Sequence, residues 1–469
     1  MKPHLFRLLP VLICCSTLFG NQLDQYIRIG LENNLSIRQE QTRINSAETS
    51  LKEATSKFLP TLSLSSRYTH AHGGRQVSIP AGQIMLEGLQ SLGMLTPQQL
   101  AGMPTPDPMT ITIMPEQEQE TKLQLTQPIF VPALFANQRL NKHLVHAASF
   151  ALERAASELI RDIRLAYYTC LQAQEGKTVY AAARDRAQQQ LTTAEKLFNA
   201  GMQTGTAVTG AKANLATRET AYLKSCADFT NACKALNVLL NQPIGTELSL
   251  KSPDSSIITK ALSTEECDAA KYNNEAQLQR PELKQLSAAK DASEALKSVE
   301  KSDFVPTLIG ALEGGIIGEH FDVTDETRFY TASLLLQWNL FSGLGKMHKI
   351  RKAQQAIELV EQQISEAKNN IRLQIEKTLS DIIIAKRNYL DSELQFTAAE
   401  ENYAAVFKRF EQGSATSIEM TEAGELLTQA EANSTISRYA LLKQRARLLY
   451  ATAADNNLIA SHNEKRSTP

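Results

Sequence analysis

The chain has 469 residues but a single Trp, 6% aromatic and 21% charged residues, which is thin material for a large globular core. Lys+Arg 49 against Asp+Glu 50 leaves a net charge of -1, so the basic field that concentrates nucleic acid is missing and a nucleic-acid partner is disfavoured. An apolar share of 42% is too high for a chain kept disordered by lack of burial, so the chain folds, but not as a set of compact balls.

Residues 1–20 read as an export signal. Lys2, His4 and Arg7 precede an apolar run from Leu8 to Phe19, and Ser16 and Gly20 offer small residues for cleavage. That run falls well short of the roughly 20 residues a spanning helix needs. Lipidation at Cys15 is disfavoured because Cys14 stands where such signals carry a small residue. No later run is apolar for long enough to form a membrane helix, so any membrane part is a β-barrel.

Next come a helix and the stretch Phe58-Leu59-Pro60-Thr61-Leu62, after which the apolar period becomes two: Leu62, Leu64, Ser66 and Tyr68 alternate with Ser63, Ser65, Arg67 and Thr69. A loop over 71–120 follows, and a second strand ends at Gln127-Pro128-Ile129-Phe130. Eight of the sixteen prolines lie between Pro80 and Pro132, while none occurs from Ala133 to Gln242 or from Thr307 to Arg466. Proline inside a helix costs about 3 kcal/mol, so the proline-free stretches predict long helices. One running from Asn141 to Phe198 would be about 90 Å long at 1.5 Å per residue. A turn at Gly201 and a returning helix complete the first half. In the second, Pro306 and Trp338 flank a strand pair, and a long helix runs to Gly413. Its residues Ile350, Ala353, Ile357, Val360, Ile364, Ala367 and Ile371 step by three and four, the repeat that winds helices around each other.

The two halves repeat each other. Phe58-Leu59-Pro60-Thr61-Leu62 returns as Phe304-Val305-Pro306-Thr307-Leu308, Leu123 to Phe130 returns as Leu334 to Phe341, and Phe198-Asn199-Ala200-Gly201 returns as Phe410-Glu411-Gln412-Gly413. The chain thus divides into a signal peptide over 1–20, a first repeat over 21–241, a linker over 242–263, a second repeat over 264–455 and a tail over 456–469. Tyr330, Ala332, Leu334, Leu336 and Trp338 alternate with Thr331, Ser333, Leu335 and Gln337, giving one largely apolar face with aromatics near the strand ends. Four short strands cannot close a barrel alone, so the protomer must oligomerise.

Each half resembles the TolC-like outer-membrane efflux protein family in a Pro-Thr-Leu strand start, a Gln-Pro-Ile-Phe or Trp-Asn-Leu-Phe-Ser-Gly strand end, and a Gly-centred helix turn. The resemblance covers nearly the whole mature chain. It implies an α+β membrane protein: a homotrimer with four strands per protomer in one 12-stranded outer-membrane β-barrel, and long periplasmic coiled-coil helices forming an α-barrel. It also implies an equatorial belt around 242–263 with the C-terminal tail, a periplasmic adaptor and an inner-membrane pump as partners, and passive conduction in efflux or type I secretion. Adaptor tips are expected at Gly201 and Gly413. Glu419 and Glu422 match acidic positions lining the tunnel's inner mouth. Ala207 and Ala415 stand where the family carries latching charges, and Phe410 where it carries a tyrosine, which leaves two outcomes open: closure by apolar packing of Phe198 and Phe410, or a looser resting mouth.

Met85, Met94, Met103, Met109 and Met114, with His70 and His72 at the edge, read as packing of an extracellular loop over the barrel mouth rather than as soft-metal ligands. His143 and His146 lack a third ligand, so no metal or cofactor is expected. Folding the chain about Gly201 sets Cys170 level with Cys233, and an oxidising periplasm would permit a disulfide there, free buried thiols being the other outcome; Cys267 has no assigned partner. Ser342-Gly343-Leu344-Gly345-Lys346 fails the spacing of a phosphate loop, and no catalytic constellation appears, so an enzyme is not expected. A soluble periplasmic scaffold or adaptor is the alternative, and it has no use for alternating strands.

Overall fold

The computed structural model describes residues 22–72, 76–112, 116–252, 255–262 and 269–455; the signal segment, the tail, Met114 and Cys267 lie outside the described residues. The elements run α1 (Gln22–Asn33), α2 (Leu35–Ser56), β1 (Thr61–His70), β2 (Gln76–Ile79), α3 (Ala81–Ser91), α4 (Pro97–Ala101), β3 (Met109–Thr112), β4 (Gln117–Phe130), α5 (Pro132–Asn199) and α6 (Gly205–Leu239). They continue as α7 (Ser255–Leu262), α8 (Ala269–Gln279), α9 (Pro281–Ser302), β5 (Thr307–Gly318), β6 (Arg328–Gln337), α10 (Gly345–Glu411) and α11 (Ser417–Ala451). Lengths correspond between the halves: α5 and α10 have 68 and 67 residues, α6 and α11 have 35 each, and α2 and α9 have 22 each.

The three-four stripe of α10 is its packed face. Ala353, Ile357, Ala367 and Ile371 are buried, Ile350, Val360 and Ile364 half-buried, and most positions between them exposed. Among the described residues no helix is long and apolar enough to cross a membrane.

The chain forms two compact units. One comprises the described parts of Met1–Ala47, His143–Asp291 and Glu358–Pro469. Its main core joins Tyr26 and Ile27 of α1, Ile160, Ile163 and Leu171 of α5, Leu236 of α6, and Tyr439 and Leu442 of α11. Gly30 lets α1 approach α5, since a Cβ there would strike Ile163 Cδ1. Beyond the end of α11, the Asp455 carboxylate accepts a hydrogen bond from Arg164 of α5 at 2.5 Å, with both side chains nearly buried. The Arg280 guanidinium donates to the Tyr450 carbonyl at 3.1 Å and lies 4.6 Å from the Tyr450 ring centre.

The other unit, Glu48–Lys142 and Ala292–Ile357, holds a four-stranded antiparallel sheet of order β1-β4-β5-β6. Pro60 and Pro306 immediately precede β1 and β5. Pro128 lies past the last β1 partner, where the β4–β5 ladder shifts register between Pro128 and Phe130, so its missing N–H removes no regular ladder bond. Trp338 follows β6, its indole N–H donating to the Phe304 carbonyl at 3.1 Å.

Residues paired across strands share a face, and the register makes the two faces chemically opposite. One carries Leu62 with Leu125, Leu312 and Ala332, then Leu64 with Leu123, Gly314 and Tyr330. The other carries Arg67 opposite Glu120, and Gln124 opposite Glu313. There Arg67 lies 3.1 Å from Glu120, and Lys122 lies 3.2 Å from Glu120 and 3.6 Å from Glu313, a charge ladder across three strands.

Segment 71–120, expected as a loop, holds structure of its own. β2 pairs with β3, α3 and α4 lie between them, and β4 starts at Gln117. A capping box closes the start of α4: the Gln99 N–H donates to Thr96 Oγ1 at 3.4 Å, and the Thr96 N–H donates to Gln99 Oε1 at 3.0 Å.

Gly315 in β5 permits the close approach of β4, for a Cβ there would overlap the Thr121 carbonyl oxygen and the Lys122 backbone. Gly315→Ala is expected to part β4 from β5 at a cost of roughly 1–3 kcal/mol. The measurement is the melting temperature of the folded protein in detergent; an unshifted melt would show the strand pair to be looser than this contact implies.

Candidate functional site

Each long helix pair reverses through a glycine in the left-handed region, Gly201 at φ 74° and Gly413 at φ 71°. The Met202 N–H donates to the Leu197 carbonyl at 2.9 Å and the Ser414 N–H to the Arg409 carbonyl at 2.9 Å, so both helices end in the same six-residue closure. The two turns are neighbours, because a Cβ on Gly413 would lie 2.8 Å from Met202 Cε.

Past the turns the halves differ. Thr416 caps α11 through a full capping box: the Glu419 N–H donates to Thr416 Oγ1 at 3.2 Å, and the Thr416 N–H donates to Glu419 Oε2 at 2.9 Å. Glu419 is thereby anchored, half-exposed and 3.9 Å from Arg409, while Glu422 one turn on is exposed. In α6 the corresponding cap is Thr204, but the third helical position is Ala207, which offers no carboxylate, and Thr204 makes no side-chain cap. Its hydroxyl bonds Thr206 Oγ1 at 2.7 Å instead. The charge missing at Ala207 is thus a missing capping-box partner.

Phe410 is buried within the protomer. It is 0% exposed, packed with Leu191, Leu197, Ala211, Ala415 and Met420 in an apolar core that all four long helices and the second turn share. Ala415 fills that core, where a charge would be buried without a partner. Phe198 stands outside it, 47% exposed and against Gly205.

Above this core lies a polar layer that the motif reading passed over. Gln190 of α5, 3% exposed, donates to Thr421 Oγ1 of α11 at 2.8 Å and accepts from Asn214 Nδ2 of α6 at 2.9 Å. Arg186 reaches Thr428 at 3.3 Å and Glu431 at 3.2 Å, and Arg218 lies 3.8 Å from Glu425. The signal was available: Ala183, Ala187, Gln190, Ala194 and Leu197 step by four and three, so Gln190 occupies a seam position reserved for apolar side chains.

Cys170 and Cys233 lie side by side, as the reversal at Gly201 implies, and both thiols are free here. Burial, followed by the neighbouring Cys233, pushes the Cys170 thiol up to about 12, so almost no thiolate is present to begin exchange. His143 lies 3.9 Å from Asp291, and among the described residues no His, Cys, Asp and Glu group is arranged to hold a metal.

These paired Gly turns, the long helices and the two-faced sheet coincide with a family model. The model described as "Outer membrane efflux protein" matches residues 27–242 and 273–454. The chain belongs to this family. Its fold is also similar to solved channels of this class. The Campylobacter jejuni CmeC outer membrane channel is 15% identical, with a TM-score of 0.72 over 94% of this chain and 89% of that one. VceC from Vibrio cholerae is 15% identical, with a TM-score of 0.69 over 92% and 96%. The open state of the Neisseria gonorrhoeae MtrE channel is 16% identical, with a TM-score of 0.65 over 92% and 88%. No curated protein sequence matches the chain.

With the Cys170 thiol raised so far, maleimide at pH 8 is expected to label half-buried Cys226 at least about tenfold faster than Cys170. Peptide mass analysis before and after unfolding checks this, and equal rates in the folded protein would contradict the buried, neutral thiol.

Proposed function

We propose that three copies of this chain close into one channel-tunnel that passively conducts substrates across the periplasm and outer membrane. A periplasmic adaptor and an inner-membrane pump would drive it, in efflux or type I secretion. The observation that carries this reading is a sheet whose outer strands, β1 and β6, each have only one neighbour, with an apolar face backed by a charged one. Pairing β1 of one protomer with β6 of the next removes every edge, turns the leucine face to lipid and turns Arg67, Glu120, Lys122 and Glu313 to a watery lumen. The matched lengths of the two halves support an internal duplication, and the long helices supply a periplasmic α-barrel.

The tip supports docking of adaptor hairpins at Gly201 and Gly413. The adjoining turns present Phe198, Met202 and Ile418 at 47%, 56% and 79% exposure, more apolar surface than a helix end needs in water. Glu419 and Glu422 from three protomers would place six carboxylates at the inner mouth.

Detergent-purified protein is expected to be trimeric by native mass spectrometry and to form channels in planar bilayers. A monomer without conductance would overturn the reading in favour of a scaffold. Multivalent cations added on the periplasmic side should block the current, and Glu419→Gln with Glu422→Gln should relieve the block at least about tenfold, since block by rings of side-chain charge scales with that charge. Unchanged block in the double variant would remove these residues from the mouth.

A further inference from the structure

The segment between β1 and β4 is folded but leaves its apolar side chains uncovered. Ile84, Met85, Leu92, Met94, Met103 and Met109 are 60%, 62%, 72%, 70%, 43% and 62% exposed, and α3 has no buried residue. Over 76–112 the only charged residues are Glu87 and Asp107, against 21% charged in the chain as a whole. A surface this apolar and this poor in charge is unusual for a segment facing water.

We propose that this insert is a self-association surface, by which the three copies pack against one another at the outer mouth of the channel. The inference rests on the trimeric reading above. Three observations select a copy of the same chain as the occupant. First, the Ala71 N–H donates to the Glu116 carbonyl at 2.9 Å, just past the His70–Gln117 pair, so the insert is rooted on β1, the edge strand that a closed barrel pairs with the neighbouring protomer. Its base therefore lies beside the next copy. Second, the root is polar: His70, His72 and Glu116 follow the last aromatic of the apolar face, Tyr68, so the insert stands beyond the lipid band rather than in it. Third, symmetric contact sets identical surfaces together and brings like charge near like charge, which a nearly uncharged surface tolerates. Three inserts held at one height around one axis also meet at high effective concentration, so modest apolar contacts suffice.

The test uses the full-length protein in detergent. Leu92→Cys treated with a short bismaleimide should give covalent dimers and trimers on a denaturing gel, above the background of the wild-type cysteines. The triple variant Ile84→Ser, Leu92→Ser and Met94→Ser changes only side chains exposed within the protomer, so its fold is not at risk. It should lower the temperature at which the trimer dissociates and raise single-channel conductance. A trimer that gives no cross-links above background, with dissociation temperature and conductance unmoved in the triple variant, overturns the proposal while leaving the channel intact. Cross-links absent from the trimer, with the variant losing affinity for lipopolysaccharide vesicles, would make the surface a lipid contact and also overturn it. A wild-type chain that is monomeric would instead fail the channel reading itself.

Discussion

The constraint on which the architecture depends is the hydrogen-bonding capacity of two strand edges. β1 and β6 each span ten residues and have a partner on one side only, so the other side carries a row of unpaired N–H and C=O groups. In water such a row is satisfied. In hydrocarbon each unpaired group costs several kcal/mol, and a handful of them would exceed the whole stability of an ordinary domain, about 5–15 kcal/mol. The side chains point the same way as the backbone. A face of Leu62, Leu64, Leu123, Leu125, Leu312 and Leu334 is costly in water, and a face of Arg67, Glu120, Lys122 and Glu313 is costly in lipid. A closed sheet with lipid outside and water inside would satisfy both faces and both edges, and the proposed trimer is the symmetric repetition that would close it.

In the long helices a seam of alanines and small apolar residues lets helices approach closely over many turns without building a thick core. The same economy leaves little apolar burial to fix register. Polar residues inserted in the seam supply that specificity, because a slipped register would strand Gln190 between alanines with neither Thr421 nor Asn214 opposite. Arg186 and Arg218 extend the same cross-linking from α5 and α6 to α11.

Much of this was legible in the residues. The alternating strands, the three-four stripe of α10 and the glycines at both turns follow from periods and from φ preferences that a short stretch of chain settles by itself. The insert was not legible, because its many Gly and Pro residues read as loop, α4 has only five residues, and β2 and β3 have only four each. The burial of Phe410 was not legible for a different reason. Whether an aromatic beside a turn faces a mouth or a core depends on α5 and α6 arriving from elsewhere in the chain, as Leu191, Leu197 and Ala211 do. Folding about Gly201 fixes the neighbourhood of Cys170 and Cys233 but not the oxidation state of their sulfurs.

The difference between Ala207 and Glu419 bears on how such a tip could change shape. α11 begins with a reciprocal cap that anchors a carboxylate at the positive end of a helix, a stabilising arrangement worth about 1 kcal/mol. α6 begins without a side-chain cap, so its first turn is the one that frays at least cost. The contacts joining α11 to α5 and α6 are polar, and polar contacts exchange for water at a net cost of only about 1 kcal/mol each. The contacts around Phe410 are apolar and cannot exchange in that way, at about 25 cal/mol per Å² uncovered. In the mouth proposed above, the widening that costs least would keep the Phe410 core closed, hydrate the Gln190 layer above it and loosen the start of α6.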